Sequence, residues 1–337
     1  MKIVALIFGD GLNHLDHLAP LCHFLHIPLI VTDRSVFTAA VTFYPDLVVY
    51  EMSPLELSNE LVQHFDVVIS CLPRHLFDRI VLVSEEVHQK KLLSIWCPHG
   101  NSDKGHLSPV METIDQERLI LVYGQKMIDF IKEKNGRIPD YLVVGNYRYH
   151  HYLKLKPFYD KWMSRTLSDS RDLLYAPTWD DNEGSSSLKS ALPTLQKVGS
   201  RLLVKLHPHT LLYSPHLVEQ YIGEYEDFYF ISTYAPIYPL LERAQAYLGD
   251  MSSIGYDYLV FNRPMFFFNP QERSDRDKGL YLHRCGEEMP TSLSNDQSDL
   301  HSTREEVYNY TFTKVDPTTL KGKFREKIIH HLDNLRI

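Results

Sequence analysis

Length, composition and charge limit what this chain can be. Its 337 residues exceed the roughly 250 to 300 residues at which a single hydrophobic core stops growing, so we expect two domains. Apolar residues make up 44% of the chain, a share typical of globular proteins, which excludes a disordered or fibrous chain. The formal charge of −8 excludes broad, sequence-independent binding to nucleic acid, because such binding needs dense Lys and Arg.

The cysteines and the N-terminus favour a reducing compartment. Cys22, Cys71, Cys97 and Cys285 lie far apart without a CxxC pair, which fits neither a disulfide framework nor a thiolate zinc site. The opening apolar run reaches the acidic Asp10 without a signal-type cleavage site and predicts a buried strand. No stretch approaches the roughly 20 apolar residues of a membrane-spanning helix. We expect a cytoplasmic chain that at most attaches to a membrane surface.

The first half of the chain alternates short apolar runs with longer segments. Strands are predicted at 3–8, 28–31, 47–50, 67–70, 92–96, 119–123 and 141–144. Helices are predicted between most of them, for example at 14–25, 54–63 and 125–134. Apolar strands that alternate with helices are typical of a parallel sheet covered on both faces. This half is predicted to be Rossmann-like.

The second half repeats the pattern after a break. The segment 147–170 is basic and aromatic at its centre and is predicted to link two domains. Strands are then predicted at 173–176, 202–206, 228–231, 246–248 and 265–268. The polar stretch 275–301 lacks apolar periodicity and predicts a long loop or lid. Apolar residues at helical spacing predict an amphipathic C-terminal helix, over 319–337.

The predicted architecture is α/β, with two doubly wound domains at 1–165 and 166–318. Domains of this kind that face one another form a cleft at the carboxyl ends of their strands, where such folds bind ligands. Polar residues at strand ends are therefore the candidate site residues.

The stretch Gly249-Asp-Met-Ser-Ser-Ile-Gly-Tyr-Asp257 connects a predicted strand to a predicted helix. Backbone N–H groups and the hydroxyls of Ser252 and Ser253 at such a turn can bind a phosphate, which favours a diphosphate ligand. The alternative is that one of these serines only caps the helix.

The stretch Lys205-Leu-His-Pro-His209 closes another predicted strand. Lys205 and His207 lie on the same side of that strand and can neutralise a leaving diphosphate. The alternative is a structural lysine and a loop histidine. The His-x-His spacing of His207 and His209 also allows a metal site, but no third ligand stands at a recognisable spacing.

Two further strand ends carry polar residues. His99 lies between Pro98 and Gly100, where a neutral imidazole can accept a proton from a hydroxyl, and Lys104 follows it as a candidate phosphate contact. Thr178 and Trp179 end the first strand of the second half and either line the cleft or pack. No G-x-G-x-x-G, Gly-x-Ser-x-Gly, Walker or His-Glu-x-x-His motif is present.

Taken together, these motifs resemble the CDP-glycerol glycerophosphotransferase family, whose enzymes build the poly(glycerol phosphate) chains of teichoic acids and related capsules. The most specific match is Asp250-x-Ser252-Ser253-x-x-Tyr256-Asp257, followed after five residues by Arg263-Pro264. The other matches, in chain order, are His99-Gly100-x-x-x-Lys104, Gly145-x-x-Arg148, Tyr175-Ala-Pro-Thr-Trp179 and Lys205-x-His207-Pro208.

The resemblance implies a GT-B fold with an N-terminal acceptor domain and a C-terminal nucleotide-donor domain. It makes His99 the base on the acceptor hydroxyl and places His207 at the donor's diphosphate, as the two catalytic residues. It implies no metal ligand and no required cofactor. The expected donor-binding residues are Thr178, Lys205, Asp250, Ser252, Ser253 and Asp257, and the expected phosphate or acceptor contacts are Lys104 and Arg148.

The activity implied is transfer of glycerol phosphate, a related polyol phosphate or a sugar from CDP or another nucleotide diphosphate. The acceptor is expected to be a membrane-associated glycan or lipid of the cell envelope, reached by a cytoplasmic protein on the inner membrane face. Basic and aromatic residues between Arg148 and Arg165 can rest on anionic headgroups or pack as a linker. The family pattern is broken at Asn101, Tyr147, Asp180 and the Gly249–Met251 stretch, where the family usually has Thr, Pro, Arg and Thr-Asp-Tyr. The missing cation at Asp180 leaves the exact donor open.

Four other functions remain open from the residues. A nucleotide-sugar transferase or an epimerase of the UDP-GlcNAc 2-epimerase type shares the fold, the epimerase with acidic groups at Asp10, Asp180 or Asp181. A metal-dependent phosphoesterase would use His99, His207, His209 and Asp250. A nucleotide-binding regulatory module would bind the same ligands without turnover.

Overall fold

The computed structural model describes residues 1–101, 103, 113–167, 173–180, 184–198, 201–269, 272, 280–289 and 296–335. The chain divides into two compact units. Unit 1 comprises Met1–His99, Ser108–His151 and Tyr310–Ile337, and unit 2 comprises Gly100–Leu107 and Tyr152–Asn309.

Strands and helices alternate along most of the described chain. The strands are β1 Ile3–Ile7, β2 Leu29–Val31, β3 Val49–Glu51, β4 Val67–Ser70, β5 Leu93–Trp96, β6 Leu119–Val122, β7 Asp140–Val143, β8 Leu173–Tyr175, β9 Leu202–Lys205, β10 Phe228–Ile231, β11 Ala246–Gly249, β12 Met265–Phe267 and β13 Glu287–Glu288. The helices are α1 Leu12–Leu25, α2 Arg34–Phe43, α3 Pro54–His64, α4 Arg74–His88, α5 Gln125–Asn135, α6 Tyr147–Lys154, α7 Lys156–Thr166, α8 Leu188–Gln196, α9 Pro208–Tyr213, α10 Pro215–Glu224, α11 Ile237–Arg243, α12 Ile254–Tyr258, α13 His301–Thr311 and α14 Pro317–Leu335.

Unit 1 is built on a seven-stranded sheet in the order β3-β2-β1-β4-β5-β6-β7, with parallel pairing throughout. The central strands are apolar on both faces because helices cover both sides of such a sheet. Register aligns Leu6 with Ser70 and Ser70 with Trp96, so the carboxyl ends of β1, β4 and β5 lie side by side. The alternation of strands and helices in this half is confirmed.

Unit 2 is built on a six-stranded parallel sheet in the order β10-β9-β8-β11-β12-β13. Its core packs β8, β9 and β11 against α8 and α10 through Tyr175, Leu192, Val204, Val218 and Leu248. The carboxyl ends of β8 and β11 are neighbours, since Leu248 pairs with Tyr175. Together, the two sheets confirm the predicted α/β class with two Rossmann-like domains.

The boundaries of the two units differ from the predicted domain boundaries, which lie between residues 165 and 166 and between residues 318 and 319. Tyr152 belongs to unit 2, because its ring stacks on Tyr238 at 5.9 Å and its hydroxyl donates to Glu242. Helix α14 belongs to unit 1, where Lys327 and His331 both bond Asp140. The amphipathic C-terminal helix itself is confirmed, with Phe324, Ile328 and Leu332 buried.

Much of the basic and aromatic segment predicted to link the domains is helical and partly buried, in α6 and α7. Arg148 and Tyr152 are buried, and Lys156 pairs with Asp160 and Glu242. Leu153, Lys154, Lys161 and Arg165 are exposed. The segment therefore packs, and only part of it faces solvent. Within the described residues, no helix is both long and apolar enough to cross a membrane.

The polar stretch 275–301, predicted to be a loop or lid, contains regular structure in its described part. A 3-10 helix, Leu282–Cys285, leads into the edge strand β13, which pairs with β12, and a second one spans Ser298–Leu300. Both β13 residues are exposed glutamates, so the strand has no apolar pattern to detect. The prediction of a loop was wrong at these residues.

Candidate functional site

In unit 1, the candidate base lies just beyond β5. Cys97 and Pro98 are buried, whereas His99 is exposed. The His99 ring lies 4.9 Å, centroid to centroid, from the ring of His14 in the first turn of α1. An exposed imidazole on a buried strand end is accessible to a substrate hydroxyl and is positioned by the strand behind it.

A buried hydrogen-bond network fixes the backbone before His99. The Tyr123 hydroxyl donates to the Pro98 carbonyl at 2.9 Å and lies 2.6 Å from His17 Nδ1. Since the phenol hydrogen goes to Pro98, His17 Nδ1–H is the donor to the phenol oxygen. Burial, aided by Arg148, His99 and His14, lowers the pKa of His17 well below its usual value. The neutral His17 and Tyr123 thus hold the carbonyl next to His99.

Arg148, predicted to contact a phosphate or the acceptor, is held inside unit 1. Its Nη2 donates to Asp16 Oδ2 at 2.7 Å and its Nε donates to the Asp16 carbonyl at 2.9 Å. The Tyr44 hydroxyl donates to the same carboxylate. The structure therefore gives Arg148 a carboxylate partner on α1, and its role toward a ligand stays a prediction. Lys104 lies outside the described residues.

In unit 2, Asp250 organises the ends of β8 and β11. The side chain is fully buried. Its Oδ1 accepts from the backbone N–H of Thr178 at 2.9 Å and of Ser252 at 3.1 Å, and its Oδ2 accepts from the N–H and hydroxyl of Ser187 at 2.8 and 2.9 Å. These four bonds give the carboxylate partners within the protein, and the contact of Asp250 with a donor stays a prediction.

Other predicted donor-binding residues of unit 2 also have internal partners. Asp257 is buried and accepts from the Tyr238 hydroxyl at 2.8 Å. Lys205 is buried, and its Nζ donates to the carbonyl of Leu206 at 3.1 Å. Thr178 is buried beside Asp250. Lys205 ends β9, Thr178 follows β8 and Asp257 lies in α12, and their contact with a donor stays a prediction.

The paired serines occupy the turn between β11 and α12. Ser252 is buried and Ser253 is half-buried. Ser253 has helical dihedral angles (φ −61°, ψ −21°) and its side chain makes no capping hydrogen bond. The alternative in which Ser253 serves as a side-chain cap is therefore not what the structure shows. Gly100 packs directly against it, since a Cβ on Gly100 would lie 2.6 Å from Ser253 Oγ.

His207 caps α9 through its ring. Its Nδ1 accepts the backbone N–H of His209 at 3.1 Å, so in the neutral ring the proton lies on Nε2, which is then a donor. Trp179, from the end of β8, lies edge-on to His209 at 5.0 Å and 6.4 Å from His207. The three rings form one aromatic cluster at the carboxyl ends of β8 and β9.

Two residues near the serines were missed by sequence reasoning. Asp103 is buried, accepts from the hydroxyl of Tyr256 and accepts the backbone N–H of Leu282 at 2.9 Å. His283 stacks on Phe267 at 4.4 Å and its Nε2 lies 3.3 Å from the carbonyl of Asp250. Burial lowers the pKa of His283. His283 lies in the polar stretch and Asp103 in a segment without predicted structure, so no pattern marks them.

The residues that the alternative functions would use agree less well with the structure. In the described chain, the group of His, Cys, Asp and Glu side chains whose ligand atoms lie close together is His14, Cys71 and His99, not the set of the phosphoesterase hypothesis. Asp180, a candidate acid of an epimerase, pairs with Lys189 at 3.1 Å on the surface. Asp181 lies outside the described residues.

Comparisons with known proteins agree with this picture. The sequence profile described as CDP-Glycerol:Poly(glycerophosphate) glycerophosphotransferase matches residues 161–334. A teichoic acid poly(glycerol phosphate) polymerase of Bacillus subtilis (strain 168) is 33% identical over 125 residues, which are 34% of this chain and 16% of that protein. The chain thus matches about one sixth of this relative's length.

Solved structures share the fold over nearly the full length of this chain. A variant of the wall teichoic acid polymerase TagF superposes with a TM-score of 0.67 at 15% identity, covering 99% of this chain and 90% of that one. The Anabaena protein HepE, solved with UDP and glucose, superposes with a TM-score of 0.58 at 11% identity, covering 97% of this chain and 99% of that one. Since the matched profile spans more than half of the sequence, the chain belongs to the CDP-glycerol:poly(glycerophosphate) glycerophosphotransferase family.

Proposed function

We propose that this protein transfers glycerol phosphate from CDP-glycerol to a hydroxyl of a membrane-associated glycan or lipid of the cell envelope. The acceptor oxygen attacks the phosphorus that carries the glycerol, and a new P–O bond forms. The bond from that phosphorus to the CMP phosphate breaks, and CMP leaves. His99 takes the proton of the attacking hydroxyl.

Family membership is the observation that carries this proposal. The matched region, residues 161–334, includes the whole turn from Gly249 to Asp257 and the strand ends with Thr178, Lys205 and His207. These are the residues that the resemblance assigns to the donor. Because the chain matches only about one sixth of the polymerase's length, the donor and acceptor belong to the proposal.

The chemistry of unit 2 suits a diphosphate. The leaving group gains negative charge as its bond breaks, and fixed donors stabilise that charge better than mobile water. Ser253 is half-buried and does not cap its helix, and His207 carries its proton on Nε2 because Nδ1 is an acceptor. We propose that these two side chains contact the diphosphate, while Asp250 holds the turn in shape.

The chemistry of unit 1 suits a base. The His99 imidazole is exposed, and the carbonyl just before it is fixed by Tyr123. A well-placed general base contributes about 10²- to 10⁴-fold in rate. We propose that the buried network holds the backbone of His99 in place, so that its ring can reach the acceptor hydroxyl.

Release of CMP tests this function. The protein would be incubated with CDP-glycerol and a glycolipid that ends in glycerol phosphate, and CMP would be measured by chromatography. We expect CMP release that depends on the acceptor and falls by about 10²- to 10⁴-fold in His99→Ala. His64→Ala, which removes an exposed histidine of α3, is the matched control and should keep full activity.

Other results would select other functions. Full activity of His99→Ala would remove this residue from the role of base. Release of UDP and free sugar from a nucleotide sugar without any acceptor would favour an epimerase. Activity that is lost on chelation and restored by a divalent ion would favour the phosphoesterase.

A further inference from the structure

Three side chains of metal-ligand type converge in unit 1, at the carboxyl edge of its sheet. They are His14, Cys71 and His99, and their ligand atoms all lie within 4.8 Å of one another. Cys71 is buried, His14 is half-buried and His99 is exposed. The group is thus anchored at the thiol and accessible to solvent at the imidazoles.

The topology explains why residues so far apart in sequence meet. Strand β4 lies between β1 and β5, and Ser70, its last residue, is in register with Leu6 and with Trp96. Cys71 directly follows Ser70, and His99 stands three residues after Trp96. His14 lies in the first turn of α1, which follows β1. The segments that follow three neighbouring strands therefore contribute one ligand each.

We propose that His14, Cys71 and His99 bind a divalent transition-metal ion of the Zn²⁺ class. Two imidazoles and a thiolate are donors that Zn²⁺ prefers, and three protein ligands leave one coordination position open. Tetrahedral Zn²⁺ places its N and S ligands about 3.3 to 3.6 Å apart, so the ligand atoms must approach by roughly 1 Å. Ring rotations of the two solvent-accessible histidines provide that movement. On binding, the Cys71 thiol releases its proton to solvent.

The consequence for activity rests on the proposed function. A metal ion on the His99 ring occupies a nitrogen lone pair, which can then no longer accept the proton of the acceptor hydroxyl. The ion would therefore act as a reversible inhibitor of transfer, and not as a cofactor. A drop in available Zn²⁺ would free the base.

Metal binding is tested without any enzyme assay. The full chain is freed of metal, titrated with Zn²⁺ by calorimetry and, separately, with Co²⁺ by absorption spectroscopy. We expect one ion per chain and a thiolate-to-Co²⁺ charge-transfer band. Cys71→Ser should abolish that band, and His14→Ala should weaken Zn²⁺ binding by at least about 10- to 100-fold. Cys285→Ser, which changes another buried free cysteine in unit 2, is the matched control and should keep the band.

Three results would overturn the site. One is the absence of stoichiometric Zn²⁺ binding to the wild-type chain. The second is a charge-transfer band that persists in Cys71→Ser. The third is Zn²⁺ binding that is lost in His209→Ala and kept in His14→Ala. In the last two cases the ion would lie on other ligands.

Inhibition separates the site from the proposed function. We expect Zn²⁺ to suppress CMP release, a chelator to restore it, and His14→Ala to need at least tenfold more Zn²⁺ for the same fractional loss, by the same affinity argument. Binding with the cobalt band but without inhibition would support the site and count against His99 as the base.

Discussion

Both sheets place polar residues at their carboxyl ends, but the two sheets use these residues differently. In unit 1, the imidazole of His99 is exposed and a buried network holds its backbone. In unit 2, the carboxylate of Asp250 is fully buried. Its hydrogen bonds to Thr178, Ser187 and Ser252 organise the turn that carries Ser252 and Ser253. Under the proposed function, a polar residue at a strand end thus serves either the substrate, as His99 does, or the scaffold, as Asp250 does. Substitutions that separate stability from activity distinguish these roles.

The largest effect on stability is expected for Asp250→Ala. This change leaves three backbone N–H groups and the hydroxyl of Ser187 without their acceptor in a buried site. Hydrogen bonds to a charged group are worth about 1.5 to 3 kcal/mol each, so the variant should lose about 4 kcal/mol or more. Urea unfolding followed by tryptophan fluorescence measures the loss.

Asp180→Ala is the matched control for this prediction. It removes an exposed ion pair with Lys189, whose side chains are 66% and 71% exposed, and should change stability by less than about 1 kcal/mol. If Asp250→Ala were as stable as the wild type but inactive, the carboxylate would belong to the ligand site and the contrast with His99 would fail.

The next largest effect is expected for Gly100→Ala, at the turn that packs on Ser253. Gly100 has φ +137°, a conformation that L side chains rarely adopt, and an added Cβ would lie 2.6 Å from Ser253 Oγ. Backbone strain of this kind costs about 1 to 3 kcal/mol, and the contact adds to it. Gly136→Ala is a comparison with positive φ but open space around the Cβ and should cost less. If the two variants lost equal amounts of free energy of unfolding, the contact with Ser253 would not contribute to the loss in Gly100→Ala.

A smaller effect on stability, with a clear effect on rate, is expected for Tyr123→Phe. The change removes the donor to the Pro98 carbonyl and the acceptor of His17 Nδ1–H, at a cost of about 1 to 3 kcal/mol. Because the network positions the backbone of His99 and His99 is the base of the proposed function, kcat should fall while KM stays constant. Tyr141→Phe, on the neighbouring strand β7, is the control. An unchanged kcat would show that the network only stabilises unit 1.

The sequence predicts the strands of both units better than it predicts the side-chain contacts at the strand ends. Long apolar runs mark the buried strands of parallel sheets, so β4, β5 and β9 stand close to where the pattern places them, and His99 and His207 follow from the strand ends. No sequence pattern indicates the hydrogen-bond partners of Asp250, because Ser187, for example, is 63 residues away in sequence. His283 and β13 lie in a polar stretch without apolar periodicity. Cys71 joins His14 and His99 only through strand order, which one sequence does not give.

The smallest effect concerns the pH dependence of the network below His99. Burial depresses the pKa of His17 in the folded state relative to its ordinary value of 6.5. As pH falls through 6.5, the unfolded chain therefore takes up a proton that the folded chain does not, and stability falls, by at most about 1.4 kcal/mol per pH unit. Above this value of pH, His17 contributes no slope. His17→Gln removes the titrating group, so the difference in free energy of unfolding between pH 7 and pH 5.5 should be smaller in this variant than in the wild type. The control His64→Ala should keep the wild-type difference. An equal difference in His17→Gln would mean that His17 is charged in the folded protein, and the neutral tautomer that orders Tyr123 and Pro98 would have to be abandoned.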